Sequence, residues 1–299
     1  MSEPRALPPG HPPLPDPKIG VLLLNLGTPD ATDYWSMRRY LSEFLSDNRI
    51  IELPKLLWQP ILQGIILTVR PKKSGHAYAQ IWNKELNESP LRTTTRDLTD
   101  KTAAILQAKH PNLMVDWAMR YGQPSTGDAI RRMIDAGCDR LLLVPLYPQY
   151  SAATTATACD QAFRQLMQER WQPAVRTALP WFDHPDHIDL LAQSVEAHYA
   201  SLDWTPDVLI ASFHGLPKEY FDKGDPYHCH CAKTARLLRE RLGWPADKLV
   251  MAFQSRFGPK EWLQPYADET IRALPAKGDK NVAMISPGFV ADCVETLEE

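Results

Sequence analysis

The sequence lacks a surplus of either charge: 33 Lys and Arg stand against 36 Asp and Glu, a net charge of −3 over 299 residues. Neutralising a phosphate backbone needs a basic surplus, so the composition argues against nucleic acid as a partner. No apolar run approaches the roughly 20 residues needed to cross a bilayer. The first 18 residues hold no apolar signal segment; they carry seven prolines and read as an extended tail. The five cysteines, Cys138, Cys159, Cys229, Cys231 and Cys293, are odd in number and form no regular framework. The cytoplasm is therefore the expected compartment. The glycine pattern of dinucleotide binding is also missing: Asn25-Leu26-Gly27-Thr28-Pro29-Asp30, after the first apolar run, has only the first of its three glycines. P-loop and G-x-S-x-G patterns are absent too.

What is present is an alternation of short apolar runs with helical stretches, in a chain 44% hydrophobic and 23% charged, which excludes extensive disorder. Strands are expected over 19–26, 113–119, 141–146, 174–178, 207–213, 248–253 and 281–285. Helices are expected over 33–46, 91–109, 125–136, 154–169, 185–201, 231–242 and 259–274. Uninterrupted apolar strands separated by helices indicate parallel sheets covered on both faces. The halves echo each other: Arg120-Tyr121-Gly122-Gln123-Pro124 follows the second strand of one, and Arg256-Phe257-Gly258-Pro259 the second strand of the other. The expectation is an α/β chain of two similar Rossmann-like lobes with a cleft between them. Its parts are a Pro-rich tail over 1–17, a first lobe over 18–180 with an insertion over about 34–89, and a second lobe over 181–299. That second lobe has no fourth strand to match the first, and the helix expected from Asp292 stops at Glu299, so the lobe reads as incomplete.

Several residue groups have chemistry at the right places. His214, in Ser212-Phe213-His214-Gly215-Leu216-Pro217, sits at the carboxyl end of a strand, where open parallel sheets bind ligands. The competing account is a buried histidine bonded to a carbonyl, the commoner fate of a lone histidine. Asp292, Glu295 and Glu299 share one helical face and could relay protons; equally, Asp292 and Glu295 have capping-box spacing. His228-Cys229-His230-Cys231 alternates metal ligands, but four consecutive residues do not close a tetrahedron, and a plain helix start is favoured. Tyr147 and Tyr150, in Tyr147-Pro148-Gln149-Tyr150-Ser151, fit either plain loop packing or, beside a histidine-bearing cleft, a flat aromatic ligand. Residues 56–73 are bulky and apolar with Arg70, Lys72 and Lys73 at the end, fitting either a buried helix or an interfacial segment.

The runs VLLLNLGTPD (21–30), YPQYS (147–151), SFHGLP (212–217), QSRFG (254–258) and ADCVETLEE (291–299) resemble, in order, the ferrochelatase family, most of all its bacterial branch. The resemblance implies the chelatase-like fold of two Rossmann-like lobes around a porphyrin cleft. It also implies a lyase of heme and porphyrin biosynthesis that inserts Fe²⁺ into protoporphyrin IX. His214 and Glu295 match the family's metal-site pair, Asp292 and Glu299 the acids that continue the glutamate's ridge, and Arg120, Tyr121 and Tyr147 porphyrin-side residues. Residues 56–73 match the lip that admits porphyrin and rests on the cytoplasmic membrane face, as a monomer or homodimer. Some relatives bind a [2Fe-2S] cluster through a cysteine after the PQYS loop and a C-terminal extension. Ala152 and Ala153 stand here instead, so no cluster and no tightly bound cofactor is expected. Cys293 stands where some relatives carry histidine, and relatives continue beyond Glu299. The alternatives are insertion into coproporphyrin III, or a porphyrin- or heme-binding carrier without catalysis; a bilobal periplasmic binding protein would need an export signal.

Overall fold

A computed structural model describes residues 8–11 and 16–298. The expected tail over 1–17 lies largely outside these residues, and Glu299 wholly so. The first sheet is built on β1 (Lys18–Thr28). Its apolar run is buried on two faces: Leu22 and Leu24 pack with Ile130, Met133 and Leu166, and Val21 and Leu23 with Leu146. Burial on both faces is why the run is continuous rather than alternating.

Helix α1 (Tyr34–Leu45) starts where the Asp33 carboxylate accepts the backbone N–H groups of Trp35 and Ser36. Then come α2 (Lys55–Ile61), a π-helical turn (Leu62–Ile66) and α3 (Leu67–Ile81). Ser89 caps α4 (Pro90–Lys109), with Pro90 at its first position. The lobe continues through β2 (Leu113–Gly122), α5 (Thr126–Asp135), β3 (Cys138–Pro145), a second π-helical turn (Ala152–Ala156), α6 (Thr157–Leu166) and β4 (Ala174–Thr177). The sheet order is β2-β1-β3-β4, all parallel.

The second lobe runs α7 (Pro185–Ser201), β5 (Val208–His214), α8 (Lys218–Asp222), α9 (Tyr227–Arg241), β6 (Leu249–Gln254), α10 (Ala267–Lys277), β7 (Val282–Ile285) and α11 (Val294–Leu297). Its parallel sheet has the order β6-β5-β7, so β5 takes the place that β1 holds in the first. The duplication read from the sequence is therefore present, with a corrected alignment. Met119 N–H donates to Pro124 O at 2.8 Å, and Phe253 N–H donates to Pro265 O at 2.8 Å. These matched bonds pair Pro124 with Pro265, not Pro259, and set Arg120 opposite Gln254.

The longer loop of the second copy also displaces the helix expected over 259–274, which begins only at Ala267. The intervening residues are held as loop: the Trp262 indole donates to Phe257 O at 2.9 Å, and Leu263 N–H to Leu216 O at 2.9 Å. At the C-terminal end, α11 is a four-residue helix capped by Cys293, not by Asp292. Thr296 takes over the expected capping: its hydroxyl accepts Cys293 N–H at 3.0 Å and donates to the Asp292 carboxylate at 3.1 Å.

Candidate active site in the cleft between the lobes

The carboxyl ends of β1, β3 and β5 open onto one cavity of about 490 Å³, lined from both lobes and from α2 and α3. That size is ordinary for a small-molecule site. The lining is dominated by apolar and aromatic side chains, among them Leu26, Phe44, Ile51, Trp58, Tyr147, Leu216, Trp262 and Phe289. Near the end of β1, Gly27 has φ +115° and an added Cβ would lie 1.9 Å from Tyr121 O, so β2 can come this close only against glycine.

His214 and Glu295 both line this cavity. His214 ends β5, and its Nδ1 lies 2.6 Å from Gly215 O. A carbonyl oxygen only accepts, so Nδ1 carries a proton, and Nε2 is the nitrogen left to exchange one or to bind a metal. Glu295 reaches the same cavity from α11. Its carboxylate lies close enough to help raise the pKa of Tyr40, Tyr78 and Cys293, after burial, the larger cause for each.

Tyr147 also lines the cavity, and its buried hydroxyl has no hydrogen-bond partner among the described residues. Burial holds that phenol protonated. The loop carrying it is tied to the second lobe. Gln149 Nε2 donates to Thr234 Oγ1 at 3.0 Å, Tyr150 N–H to His230 Nδ1 at 3.1 Å, and Ser151 Oγ to Asp225 Oδ2 at 2.9 Å. His230 stacks on Phe182 with ring centroids 3.7 Å apart, and burial lowers its pKa, keeping Nδ1 free to accept. The His228–Cys231 run thus opens α9 as a lobe clamp. Among the described residues no group of three or more His, Cys, Asp or Glu is placed to hold a metal.

Asp292, Arg120 and Tyr121 stand apart from His214 and Glu295. Asp292 is exposed and does not line the cavity. Arg120, 6% exposed, donates to Asp47 Oδ2 at 2.5 Å and to Thr157 Oγ1 at 2.7 Å. It faces a separate polar depression of about 890 Å³ that Arg39, Glu43 and Arg164 also line. Tyr121, fully buried, donates to Asp47 at 2.8 Å and meets Phe44 edge-on at 5.0 Å, backing the cavity wall. Two cations reach the cavity, Arg70 from α3 and Lys260 from the long loop. Arg70 lies 5.5 Å from the Phe257 ring centroid. The basic end of the 56–73 run was the one signal for Arg70. Lys260 gave none, because its loop reads as helix.

The apolar residues at 56–73 divide between two environments. Leu62 and Leu67 are fully buried with Met37 and Tyr40, whereas Leu56 is 91% and Val69 70% exposed. No helix of the described residues is long and apolar enough to cross a membrane.

Residues 18–299 match the family model described as Ferrochelatase. The chain is 61% identical to the ferrochelatase of Allorhizobium ampelinum over 98% of its own length and 85% of that protein's. It is 60% identical to the ferrochelatase of Rhizobium meliloti over 97% of this chain and 85% of that one. For Rhodobacter capsulatus ferrochelatase the identity is 58%, over 98% and 84%. Among solved structures, SirB from Bacillus subtilis with Fe³⁺ is similar with a TM-score of 0.45 and 10% identity, over 91% of this chain and 90% of that one. By the family match and by these identities, the chain belongs to the ferrochelatase family.

Proposed function

We propose that the cavity holds protoporphyrin IX between His214 and Glu295, and that these two side chains carry out the family's reaction, insertion of ferrous iron to form heme. The enzyme is a lyase. Fe²⁺ is its substrate, and the two pyrrole N–H protons are its other product. The observation that carries the reading is that His214, with Nδ1 bonded to Gly215 O, and Glu295 line one largely apolar cavity. Imidazole nitrogen and carboxylate oxygen can each accept a pyrrole proton, and both are ligands for Fe²⁺. One face of the macrocycle would then lose protons as the other receives the metal. The apolar walls strip water from the ring and from the ion, and the Tyr147 hydroxyl is left to find its partner in the ligand.

Arg70 and Lys260 supply positive charge for the porphyrin carboxylates. We assign Asp292 and Glu299 to proton and cation traffic between Glu295 and solvent. The lobes are taken as 18–180, with 34–89 as the lip insertion, and 181–299. No [2Fe-2S] cluster enters the reading: Ala152 and Ala153 begin a π-helical turn where cluster-bearing relatives place a cysteine. Both members of the pair come from one chain, so a monomer suffices.

The lip docks on the cytoplasmic membrane face, since exposed Leu56, Leu57 and Ile65 precede Arg70, Lys72 and Lys73. The test is anaerobic mixing of Fe²⁺ with protoporphyrin IX, followed by absorbance, with coproporphyrin III alongside. Heme formed faster from protoporphyrin is expected; turnover confined to coproporphyrin would reassign the substrate, and binding without turnover would leave a carrier. In the same preparation, wild type should sediment with anionic vesicles and Leu56→Glu/Leu57→Glu should stay in solution. Equal sedimentation would end the docking reading.

A further inference from the structure

We infer that Gln254 is the residue that sets the spacing between His214 and Glu295, a positioning role for a side chain that does not itself line the cavity. The inference rests on the function proposed above. Gln254 ends β6 directly beside His214 on β5, the two being register partners. Its carbonyl accepts Gly215 N–H at 2.8 Å, which fixes the backbone that in turn orients the imidazole. Its side chain reaches the other way: the Gln254 amide nitrogen donates to the main-chain carbonyl of Glu295.

The amide has one allowed orientation. A carbonyl oxygen cannot donate, so the NH₂ must face Glu295, and Oε1 must then take the hydroxyl proton of Ser212, 2.5 Å away. Ser212 is fully buried in β5, two residues before His214. The chain Ser212–Gln254–Glu295 therefore ties α11 to the strand that carries the histidine.

That tie matters because α11 has four residues, too few to hold a helix by its own backbone bonds. The position of Glu295 must come from outside contacts, and Gln254 is the one that leads straight to His214. Just beyond Gln254 the chain turns through Ser255 at φ 66°, a left-handed conformation rare outside glycine, at the cavity wall.

The test compares Gln254→Met with wild type in the iron-insertion assay. Methionine keeps the length and bulk and removes both hydrogen bonds. A misplacement of about 1 Å is enough to cost on the order of 100-fold in rate, so kcat should fall about 10- to 100-fold. KM for Fe²⁺ should rise while KM for protoporphyrin stays near wild type; Tm should fall modestly, because the buried Ser212 hydroxyl loses its acceptor. Ser212→Ala, which frees the amide but leaves its bond to Glu295, should show a smaller loss in the same direction. The double variant should be no worse than Gln254→Met, the signature of one shared chain. Unchanged kcat, or a loss of rate matched by an equal rise in porphyrin KM, would overturn the inference. If Gln254→Met does not fold, Ser212→Ala decides by the same split. Wild type without turnover, or full turnover by His214→Ala, would sink the functional reading instead.

Discussion

His214→Ala is expected to abolish iron insertion while leaving protoporphyrin bound. Removing a positioned general base costs typically 10²- to 10⁴-fold, and loss of a metal ligand at the same atom places the effect at about the top of that range. Porphyrin affinity should stay close to wild type, because the apolar walls and the two cations carry it. Stopped-flow absorbance for turnover and fluorescence quenching for binding separate the two. The strand end should tolerate the change: His214 is half-buried, and its imidazole bonds the carbonyl next in the chain. Turnover within a few-fold of wild type would remove the imidazole from the chemistry.

Asp47→Ala is expected to give the largest loss of stability. The Asp47 carboxylate accepts from Arg120, Tyr121 and Thr157 and from the Arg49 backbone N–H at 2.8 Å. Burial opposes the charge, yet these donors together hold its pKa below the ordinary carboxylate value. Its alanine variant would leave the Arg120 guanidinium, 6% exposed, without its close anionic partner. Breaking a buried pair in this way costs about 3–5 kcal/mol. Denaturant unfolding measures it, and a cost under about 1 kcal/mol, the level of a surface pair, would contradict the reading. Asp47→Ala/Arg120→Met should recover part of the loss, since the double variant no longer buries a lone charge. Arg120→Met alone should lower Tm far more than porphyrin affinity, because Arg120 lies off the cavity.

The central strands were legible because they are apolar on both faces; β1, with Leu22 and Leu24 on one side and Val21 and Leu23 on the other, is the clearest case. The helices whose first turn is capped by a nearby side chain, such as α1 at Asp33 and α5 at Ser125, were legible too. The start of α10 was not, since Trp262 and Leu263 are held by partners at Phe257 and Leu216 that no local pattern announces. The C-terminal cap misled for a similar reason. Asp292 and Glu295 have the right spacing, but Thr296 bonds back to Cys293 first.

In the site, His214 and Glu295 could be chosen because their motifs resemble a known family and their chemistry suits the reaction. Arg120 and Tyr121 carried the same resemblance, but their partner Asp47 lies 73 residues from Arg120 in the chain, so their burial could not be read. Gln254 was quoted in a motif without a role, because its partner Glu295 is 41 residues away and the contact is to backbone.

The most direct measurement is a crystal structure of the full chain with protoporphyrin IX bound. The expected result is a macrocycle in the cavity of about 490 Å³, with His214 Nε2 toward one face and the Glu295 carboxylate toward the other. A porphyrin bound elsewhere, or both side chains on one face of the ring, would contradict insertion between these two residues.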